Sequence, residues 1–444
     1  MEFNFLYWLF KPLIQTSWRT AYKIRLIGRQ NIDYSKPTLI VANHTNAVID
    51  PVAIAAFSRR GIYFLARGDA FKNGFFKWLL WQFHIIPIFR KEEAENNLEK
   101  NKETFVRMFD MFDQNKSIII FSEGKCIQEK RVREFKKGTA HIMVDYAVKT
   151  GNTSRLQILP VGLNYYKHNQ FRSDLLMNFG KPFTIDDVGV SDLSAKEAIN
   201  QITQFAHASI IEVAVSHQHE ALLGLEIPIE EMIGKSLIKK QKNVGKKRAM
   251  FQMHKEVVDT LNIKYNEDRQ SVLNFKKDIN LLEEKLEQHN IPISALKNQN
   301  KVVPFFKSIG LLLTLPFFLL GFILNAIPFF LPMYIVNSKV KNVVFKSTVR
   351  VVLGMFLFFI FYLLYFLLVP KFVFGVNGFL NRFFNGIIVI VLSHWLLLFS
   401  YFWYKQVKKI TGTVRCYLLQ HAEKQNIELL YVKCKNWLKT TYNL

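Results

Sequence analysis

Short apolar runs alternate with helical patterns of apolar and polar residues between about residues 35 and 185. The short runs are typical of buried strands, whereas the longer segments repeat apolar residues at three- and four-residue steps. This alternation predicts an α/β domain over residues 35–190. The predicted strands are 38–43, 62–66, 85–89, 117–121, 157–162 and about 174–179, and the predicted helices are 51–58, 75–83, 95–113 and 138–149.

A helical, basic region is predicted at 191–300. Five apolar residues in it recur at helical spacing and predict one apolar face. This stripe lasts barely two heptads, so we interpret it as a packing face rather than a dimer seam. The basic segment 235–248 fits either a surface for phosphate or lipid headgroups or an ordinary solvated loop. The stripe consists of Val272, Phe275, Ile279, Leu282 and Leu286.

The last third of the chain contains three long apolar runs that carry almost no charge. They lie at 308–336, 349–369 and 386–404 and predict a membrane region over 301–410. Basic residues flank the first run on both sides, which conflicts with a simple crossing under the positive-inside rule. We therefore predict a re-entrant hairpin that turns near Asn325, followed by two crossings. Three ordinary crossings are the alternative.

Both ends of the chain carry basic residues beside apolar or aromatic ones. Residues 1–34 begin with aromatic side chains followed by Lys and Arg, which predicts an interfacial helix lying on the membrane. The alternative is a helix docked on the protein's own core. The first ten residues lack the basic start and the Ala-x-Ala site of a signal peptide. Residues 411–444 are predicted to form a basic cytoplasmic tail.

The balance of charge narrows the classes of partner. The 59 basic and 35 acidic residues give a net charge of +24, which suits an anionic phospholipid membrane or phosphorylated substrates. Nucleic acid is disfavoured because the basic residues neighbour apolar segments and no zinc-finger, RRM or KH pattern occurs. The 3 cysteines show neither metal-ligand spacing nor a disulfide framework, which predicts reducing cytoplasm.

The first strand of the α/β domain is followed by His44 and Asp50. Ligands of open α/β sheets bind at the carboxyl ends of strands, and a His there can take a proton from an alcohol. Asp50 could hold the ring in one tautomer. No Gly-x-Ser-x-Gly elbow occurs, so the alcohol would come from the substrate. The alternative is a structural His that caps a helix or binds a carbonyl.

Three further clusters follow later strands. Arg90 could grip a phosphate or form a surface salt bridge. The basic residues after Glu123 and Gly124 could bind phosphate, or they could be a solvated charge run. Pro160 inside an apolar run predicts an edge or irregular strand. The basic residues are Lys125, Lys130, Arg131, Arg133, Lys136 and Lys137.

Together the four clusters resemble the ordered motifs of the glycerolipid acyltransferases, the glycerol-3-phosphate and 1-acylglycerol-3-phosphate O-acyltransferases. The resemblance covers about residues 35–185. It implies a membrane-bound enzyme of phospholipid biosynthesis that uses acyl-CoA or acyl-carrier protein and needs no metal or organic cofactor. The matching motifs are His44…Asp50, Phe89-Arg90, Phe121-Ser122-Glu123-Gly124 and Leu159-Pro160-Val161.

The resemblance also implies a role for each motif. His44 would be the general base and Asp50 its orienting partner, and Arg90 would bind the phosphate of the acceptor. Glu123 and Gly124 would help to place the acceptor, and the fourth motif would shape the acyl-donor side. The predicted substrate-binding residues are Asn43, Asn46, Arg90, Glu123, Gly124, Lys125, Lys136, Lys137, Pro160 and Val161.

Departures from the family pattern leave the acceptor open. Five residues separate His44 from Asp50 where four are common; the fungal-type glycerol-3-phosphate/dihydroxyacetone-phosphate acyltransferases resemble this longer form, including Asn46. Ser122 stands where Pro is usual, and Lys125 stands where Thr is common. We expect an integral membrane acyltransferase that forms phosphatidic acid or its precursor, with the α/β domain on the cytoplasmic face. A non-catalytic lipid-binding scaffold or an enzyme for another lipid acceptor are the alternatives.

Overall fold

The structure is a computed structural model that describes residues 5–68, 74–88, 97–190, 192–241, 244–297 and 302–444. The chain divides into two compact units. Unit 1 comprises Met1–His217 and Asn342–Thr348, and unit 2 comprises Gln218–Lys341 and Val349–Leu444.

A mixed sheet forms the centre of unit 1. In the described residues it has seven strands in the order β1-β7-β6-β2-β5-β3-β4. All neighbours are parallel except β6 and β7, so β2 to β6 end at one edge of the sheet. The strands are β1 Tyr22–Ile27, β2 Thr38–Ala42, β3 Ile62–Arg67, β4 Ile85–Ile88, β5 Ser117–Ile120, β6 Gln157–Tyr165 and β7 Ser173–Phe179.

Helices cover both faces of this sheet, because the central strands are apolar on both sides. Every residue of β2 is buried, as expected for a parallel strand in an α/β protein. Leu39 and Val41 face a core that includes Met108, Ile142 and Ile202 from three helices. The helices of unit 1 are α1 Phe5–Ala21, α2 Ile49–Phe57, α3 Gly74–Gln82, α4 Asn97–Asp113, α5 Gly138–Thr150 and α6 Ala195–Val213. The predicted α/β class is therefore confirmed.

Two boundaries differ from the sequence prediction. Residues 22–27, predicted within an interfacial helix, form the edge strand β1 paired with β7. The helix before it, α1, docks on α2, because the buried Tyr7 and Lys11 side chains donate to the carbonyls of Ala55 and Ser58. Helix α6 packs its apolar face on the sheet, so unit 1 extends to His217 and not to residue 190.

Pro160 was predicted to mark an edge strand or an irregular strand end; the edge position is wrong, whereas pairing on one side of Pro160 is irregular. Pro160 lies in β6, between β7 and β2, in register with Val41. Its carbonyl accepts the Gly180 N–H at 2.8 Å. The missing N–H of the proline is tolerated because regular pairing along this side of β6 is interrupted between Gly180 and Phe183.

Unit 2 combines a helical core with long apolar helices. The predicted stripe lies on one helix, α9, and is buried against α8 and α15, so its interpretation as a packing face is confirmed. Residues 411–444, predicted as a basic tail, complete α14 and form α15, whose apolar face is buried in the same core. The helices are α7 Glu226–Lys240, α8 Lys246–Glu267, α9 Arg269–Gln288, α10 Ile293–Leu296, α11 Val302–Leu313, α12 Leu315–Lys339, α13 Val343–Leu368, α14 Phe379–Leu418 and α15 His421–Thr441.

Three helical segments of the described chain are long and apolar enough to cross a membrane, Leu315–Lys339, Val343–Val373 and Phe379–Leu418. The predicted run 308–336 is divided at Thr314, just before Pro316, which cannot donate a backbone hydrogen bond. The three predicted apolar runs overlap these segments.

The turn predicted near Asn325 is wrong, because α12 continues through it. The Asn325 amide donates to the carbonyls of Gly321 and Ser393. Pro328 leaves the Leu324 carbonyl without a helical donor, and the Tyr365 hydroxyl donates to that carbonyl at 2.5 Å. Neighbouring helices thus satisfy the polar groups that would otherwise favour a break.

Candidate active site

His44 and Asp50 form a hydrogen-bonded pair at the carboxyl edge of the sheet. The loop after β2 carries His44, and Asp50 lies in the first turn of α2. The Nδ1 atom of His44 lies 3.0 Å from Oδ2 of Asp50. The Asp50 side chain is fully buried, whereas that of His44 is 19% exposed. The pair thus anchors the ring through Nδ1 and leaves Nε2 for another partner.

The Asp50 carboxylate is held by further donors. Its Oδ2 atom also accepts the backbone N–H groups of Thr45 and Asn46, at 2.8 and 2.7 Å. Its Oδ1 atom accepts the hydroxyl of Tyr165 at 2.7 Å. These donors fix the buried carboxylate in one orientation, in which one of its oxygens faces His44.

Glu123, which follows β5, ties the His44 loop to a second loop. Its two carboxylate oxygens accept the backbone N–H groups of His44, at 3.0 Å, and Arg133, at 3.3 Å. Burial raises the pKa of Glu123 to about 7, although these two hydrogen bonds oppose the rise. Glu123 therefore connects the loop of His44 to the loop of Arg133 through its two carboxylate oxygens.

Phe121 and Cys126 complete the surroundings of His44. The Phe121 ring stacks on the imidazole with a centroid distance of 4.0 Å. The Cys126 sulfur accepts the Ala47 N–H at 3.0 Å, and burial raises the pKa of its thiol to about 12. His44, Asp50 and Cys126 bring possible metal-ligand atoms within 4.8 Å of one another. Asp50 already accepts four hydrogen bonds and Cys126 one, so these contacts occupy the atoms that a metal ion would need.

The glycine and three of the predicted lysines lie on the loop after β5. Gly124 has a positive φ of 69°, and a Cβ there would come within 2.8 Å of the Lys136 side chain. Lys125, Lys136 and Lys137 are exposed and make no ion pair within the described part of the chain. Arg133, in contrast, is paired with Glu129 at 2.7 Å. The three lysines are therefore available to an anion.

Four other residues predicted for the site are buried in the domain. The Asn43 amide donates to and accepts from the Leu163 backbone, which extends the contact between β2 and β6. Asn46 is fully buried and donates to the Tyr22 hydroxyl. Pro160 and Val161 are buried within β6, below the strand end. Arg90 lies outside the described residues.

Tyr165 is the main residue of this site to which the sequence analysis gave no role. It ends β6, two residues beyond Leu163, and it contacts Asp50 although 115 positions separate them. A Tyr three residues after the predicted strand 157–162 was the available signal. The contact of Tyr165 with Asp50 becomes evident only from the structure, in which β6 lies beside β2 in the sheet.

Comparisons with known proteins show what this α/β domain is similar to. The acyltransferase family model matches residues 23–164. The chain is 34% identical over 86 residues to glycerol-3-phosphate O-acyltransferase 2 of Saccharomyces cerevisiae, covering 19% of this chain and 11% of that protein. It is 29% identical over 113 residues to an uncharacterized acyltransferase of Schizosaccharomyces pombe, covering 24% of this chain and 17% of that protein.

Residues 23–164 thus match an acyltransferase family model, in agreement with the resemblance that the four motifs carry. It spans less than a fifth of the length of these curated relatives. Among solved structures, it is similar to the 1-acyl-sn-glycerophosphate (LPA) acyltransferase PlsC of Thermotoga maritima, with a TM-score of 0.32 and 18% identity over 45% of this chain and 79% of that chain. A similarity with a TM-score this low carries no conclusion about the function of this chain.

Proposed function

We propose that this protein transfers a fatty acyl group from acyl-CoA or acyl-carrier protein to a hydroxyl of glycerol-3-phosphate or 1-acylglycerol-3-phosphate. The hydrogen-bonded His44–Asp50 pair at the carboxyl edge of the sheet is the observation that carries the proposal. The family match over residues 23–164 supports it independently. Dihydroxyacetone phosphate is a further acceptor to test, because of the five-residue spacing between His44 and Asp50.

The geometry suggests how the reaction proceeds. With its Nδ1–H donated to Asp50, His44 presents the Nε2 lone pair to the acceptor hydroxyl and removes its proton. The acceptor oxygen attacks the thioester carbonyl carbon, an ester C–O bond forms and the C–S bond breaks. The sulfur leaves as a thiolate and takes the proton back from Nε2. Asp50 stabilises the imidazolium formed in between.

The anionic part of the acceptor would bind beside this pair. Lys125, Lys136 and Lys137 carry charges without ion-pair partners among the described residues, and Gly124 keeps the loop close to Lys136. Clustered lysines favour phosphate groups. We therefore place the acceptor phosphate on this loop and the acceptor hydroxyl at His44, with Arg90 as a further phosphate ligand.

We also propose that the protein is an integral membrane protein with its acyltransferase domain on the cytoplasmic face. The three membrane-length helices support the first part. The net charge of +24 supports attraction to the anionic cytoplasmic leaflet. This location suits the chemistry, because acylated substrates and products partition into lipid while CoA and glycerol phosphates are water-soluble.

The test is CoA release from acyl-CoA by the full-length protein in membranes. Glycerol-3-phosphate, 1-acylglycerol-3-phosphate and dihydroxyacetone phosphate are offered separately, and each assay is repeated with acyl-carrier protein as the carrier. We expect release that depends on one of these acceptors and is abolished by His44→Ala. His421→Ala, at an exposed position of α15, is the matched control and should keep full activity.

Two results would contradict the proposal. One is the absence of acyl transfer to all three acceptors from both carriers. The other is acyl transfer that His44→Ala leaves intact. Lipid binding that survives His44→Ala in an inactive protein would support the scaffold alternative instead.

A further inference from the structure

The beginning of one membrane-length helix is part of the catalytic unit. Residues Asn342–Thr348 include the first six residues of α13, yet they group with unit 1. Ser347 is 2% exposed. A polar residue so deeply buried needs specific partners, and those partners indicate what this helix start does.

Ser347 binds the connection between β6 and β7. Its hydroxyl lies 2.5 Å from the Asn169 side-chain oxygen and 3.1 Å from the His168 carbonyl. The Asn169 amide in turn donates to the Gln128 side chain at 2.8 Å. Gln128 lies two residues after Cys126, on the loop that follows Glu123. Ser347 thus contacts one loop of the site edge directly and a second through Asn169.

The same connection leads to the catalytic pair. The His168 ring stacks on Tyr165 with a centroid distance of 4.9 Å, and the His168 carbonyl also accepts the Tyr22 hydroxyl at 2.9 Å. Tyr165 donates to Asp50, which binds His44. A continuous set of contacts therefore runs from Ser347 through His168 and Tyr165 to the base.

We propose that the start of α13 is a built-in positioning element of the acyltransferase site. Ser347 holds the β6–β7 connection in place, and through His168 it keeps Tyr165 aligned with Asp50. Ser347 is a positioning residue, because it acts on the dyad through other side chains. This proposal rests on the proposed acyl transfer for its kinetic consequence, while the docking itself does not.

A connection between two strands is ordinarily among the more mobile parts of a domain. The start of α13 restricts that motion, because Ser347 contacts the backbone of His168 and the side chain of Asn169 in this connection. Because a misplacement of about 1 Å near reacting groups can cost up to about 100-fold in rate, a loosened connection would lower kcat.

A cysteine pair tests the docking directly. In Asn169→Cys/Ser347→Cys, mild oxidation of the full-length protein in membranes should form a disulfide that peptide mass mapping assigns to these two positions. The matched control is Asn169→Cys/Ser154→Cys. Ser154 lies before the amino end of β6, a whole strand away from Asn169, and should form no such bond. Absence of the 169–347 bond under conditions that oxidise other exposed cysteine pairs would overturn the proposed docking.

Kinetics of the same variant test the positioning role. The reduced double variant lacks the Ser347 contact and, in both redox states, the Asn169 hydrogen bond to Gln128, and it should show kcat about tenfold below wild type with a smaller change in KM. Oxidation should restore kcat, because the disulfide replaces the lost tether. Ser338→Cys, on an exposed residue of α12, should change neither constant in either state. A disulfide that forms while kcat stays at the wild-type value in both states would overturn the positioning role.

The two proposals fail separately. An inactive wild-type protein would contradict the acyltransferase function, and the 169–347 cross-link would still decide whether α13 docks. An active wild-type protein without that cross-link would contradict the docking alone.

Discussion

In the described part of the chain, His44–Asp50 in unit 1 and His254–Glu230 in unit 2 are histidine–carboxylate pairs with a buried carboxylate, and they differ in what surrounds them. In unit 1, His44 Nδ1 lies 3.0 Å from Asp50. In unit 2, His254 Nδ1 lies 2.6 Å from Glu230, between α8 and α7. The second pair therefore has the shorter distance between nitrogen and carboxylate oxygen. A histidine beside a carboxylate is therefore not enough to identify a catalytic site.

The carboxylates differ in how they are held. Asp50 accepts two backbone N–H groups and the Tyr165 hydroxyl besides His44. Glu230 has one oxygen on His254, and its other oxygen has no hydrogen-bond partner among the described residues. Asp50 is thus fixed by its surroundings, whereas the His254–Glu230 contact is a pair within a packed helical core.

The histidines differ in access. His44 stands at the edge where β2, β5 and β6 end, with its side chain 19% exposed and unpaired lysines nearby. The His254 side chain is 10% exposed and packs among apolar residues of unit 2. Location at a shared strand edge, and not the pair itself, makes the first site chemically useful.

Asp50→Asn should produce the largest change in activity. The asparagine keeps the size of the side chain but removes the charge that stabilises the imidazolium and fixes its tautomer. We expect kcat to fall by about 10²- to 10⁴-fold with little change in KM. Asp278→Asn, which removes a carboxylate paired with Lys433 in unit 2, is the control. Retention of more than a tenth of wild-type kcat by Asp50→Asn would break the comparison.

His254→Ala should lower the stability of the protein and leave its kcat unchanged. It leaves Glu230 buried without its partner, which costs about 3–5 kcal/mol of unfolding free energy in comparable buried pairs. We expect a lower Tm in detergent, measured by tryptophan fluorescence, and unchanged kcat for the protein that stays folded at low temperature. A loss of kcat comparable to that of Asp50→Asn would place chemistry in unit 2 and contradict the comparison.

Tyr165→Phe removes the hydroxyl that donates to Asp50, and Glu230 has no corresponding donor among the described residues. The phenyl ring should keep its packing, and Asp50 loses the hydrogen bond to Oδ1. We expect kcat to fall by about tenfold at constant KM, which corresponds to one hydrogen bond to a charged group. Tyr431→Phe is the control, since that buried hydroxyl has no partner within the described chain. Equal kinetics for the two variants would show that Asp50 is held without Tyr165.

The smallest effect is expected for Glu123→Gln, and it depends on pH. Because burial raises the pKa of Glu123 from 4.5 to about 7, the folded protein holds more protons than the unfolded chain between these values. Its contribution to the unfolding free energy therefore falls as pH rises from about 4.5 to about 7 and stays low above that.

Glu123→Gln removes this titration. The Tm of the variant minus that of the wild type should become more positive between pH 5 and pH 8, on top of a constant loss from the missing second acceptor. A difference that does not change with pH would contradict the raised pKa.

The sequence predicted most of unit 1 because its strands are short apolar runs bounded by polar residues, as at Thr38–Ala42 and Ser117–Ile120. It missed Tyr22–Ile27, where Lys23 and Arg25 interrupt the apolar pattern of an edge strand. Edge strands expose one side and carry a weaker hydrophobic signal than central strands. Strand order and the antiparallel β7 depend on contacts between distant segments, which local patterns do not encode.

The candidate site was predictable where its residues are close in sequence. His44 and Asp50 lie six positions apart, so the pair followed from the motif. Tyr165 and Ser347 did not follow, because their roles depend on where β6 and the start of α13 lie in unit 1. The turn near Asn325 was predicted from flanking charge and internal prolines. Side chains of neighbouring helices satisfy the groups that the prolines free, and the helix continues.

The most direct test of the central claim compares His44→Ala with His254→Ala in the same membranes, at equal amounts of folded protein and at a temperature where both are stable. The measured quantity is acceptor-dependent CoA release from acyl-CoA, or transfer from acyl-carrier protein if that is the donor. We predict that His44→Ala lowers the rate by at least about 100-fold, while His254→Ala stays within about twofold of wild type. Equal loss in both variants, or full activity in His44→Ala, would contradict the assignment of the base to unit 1.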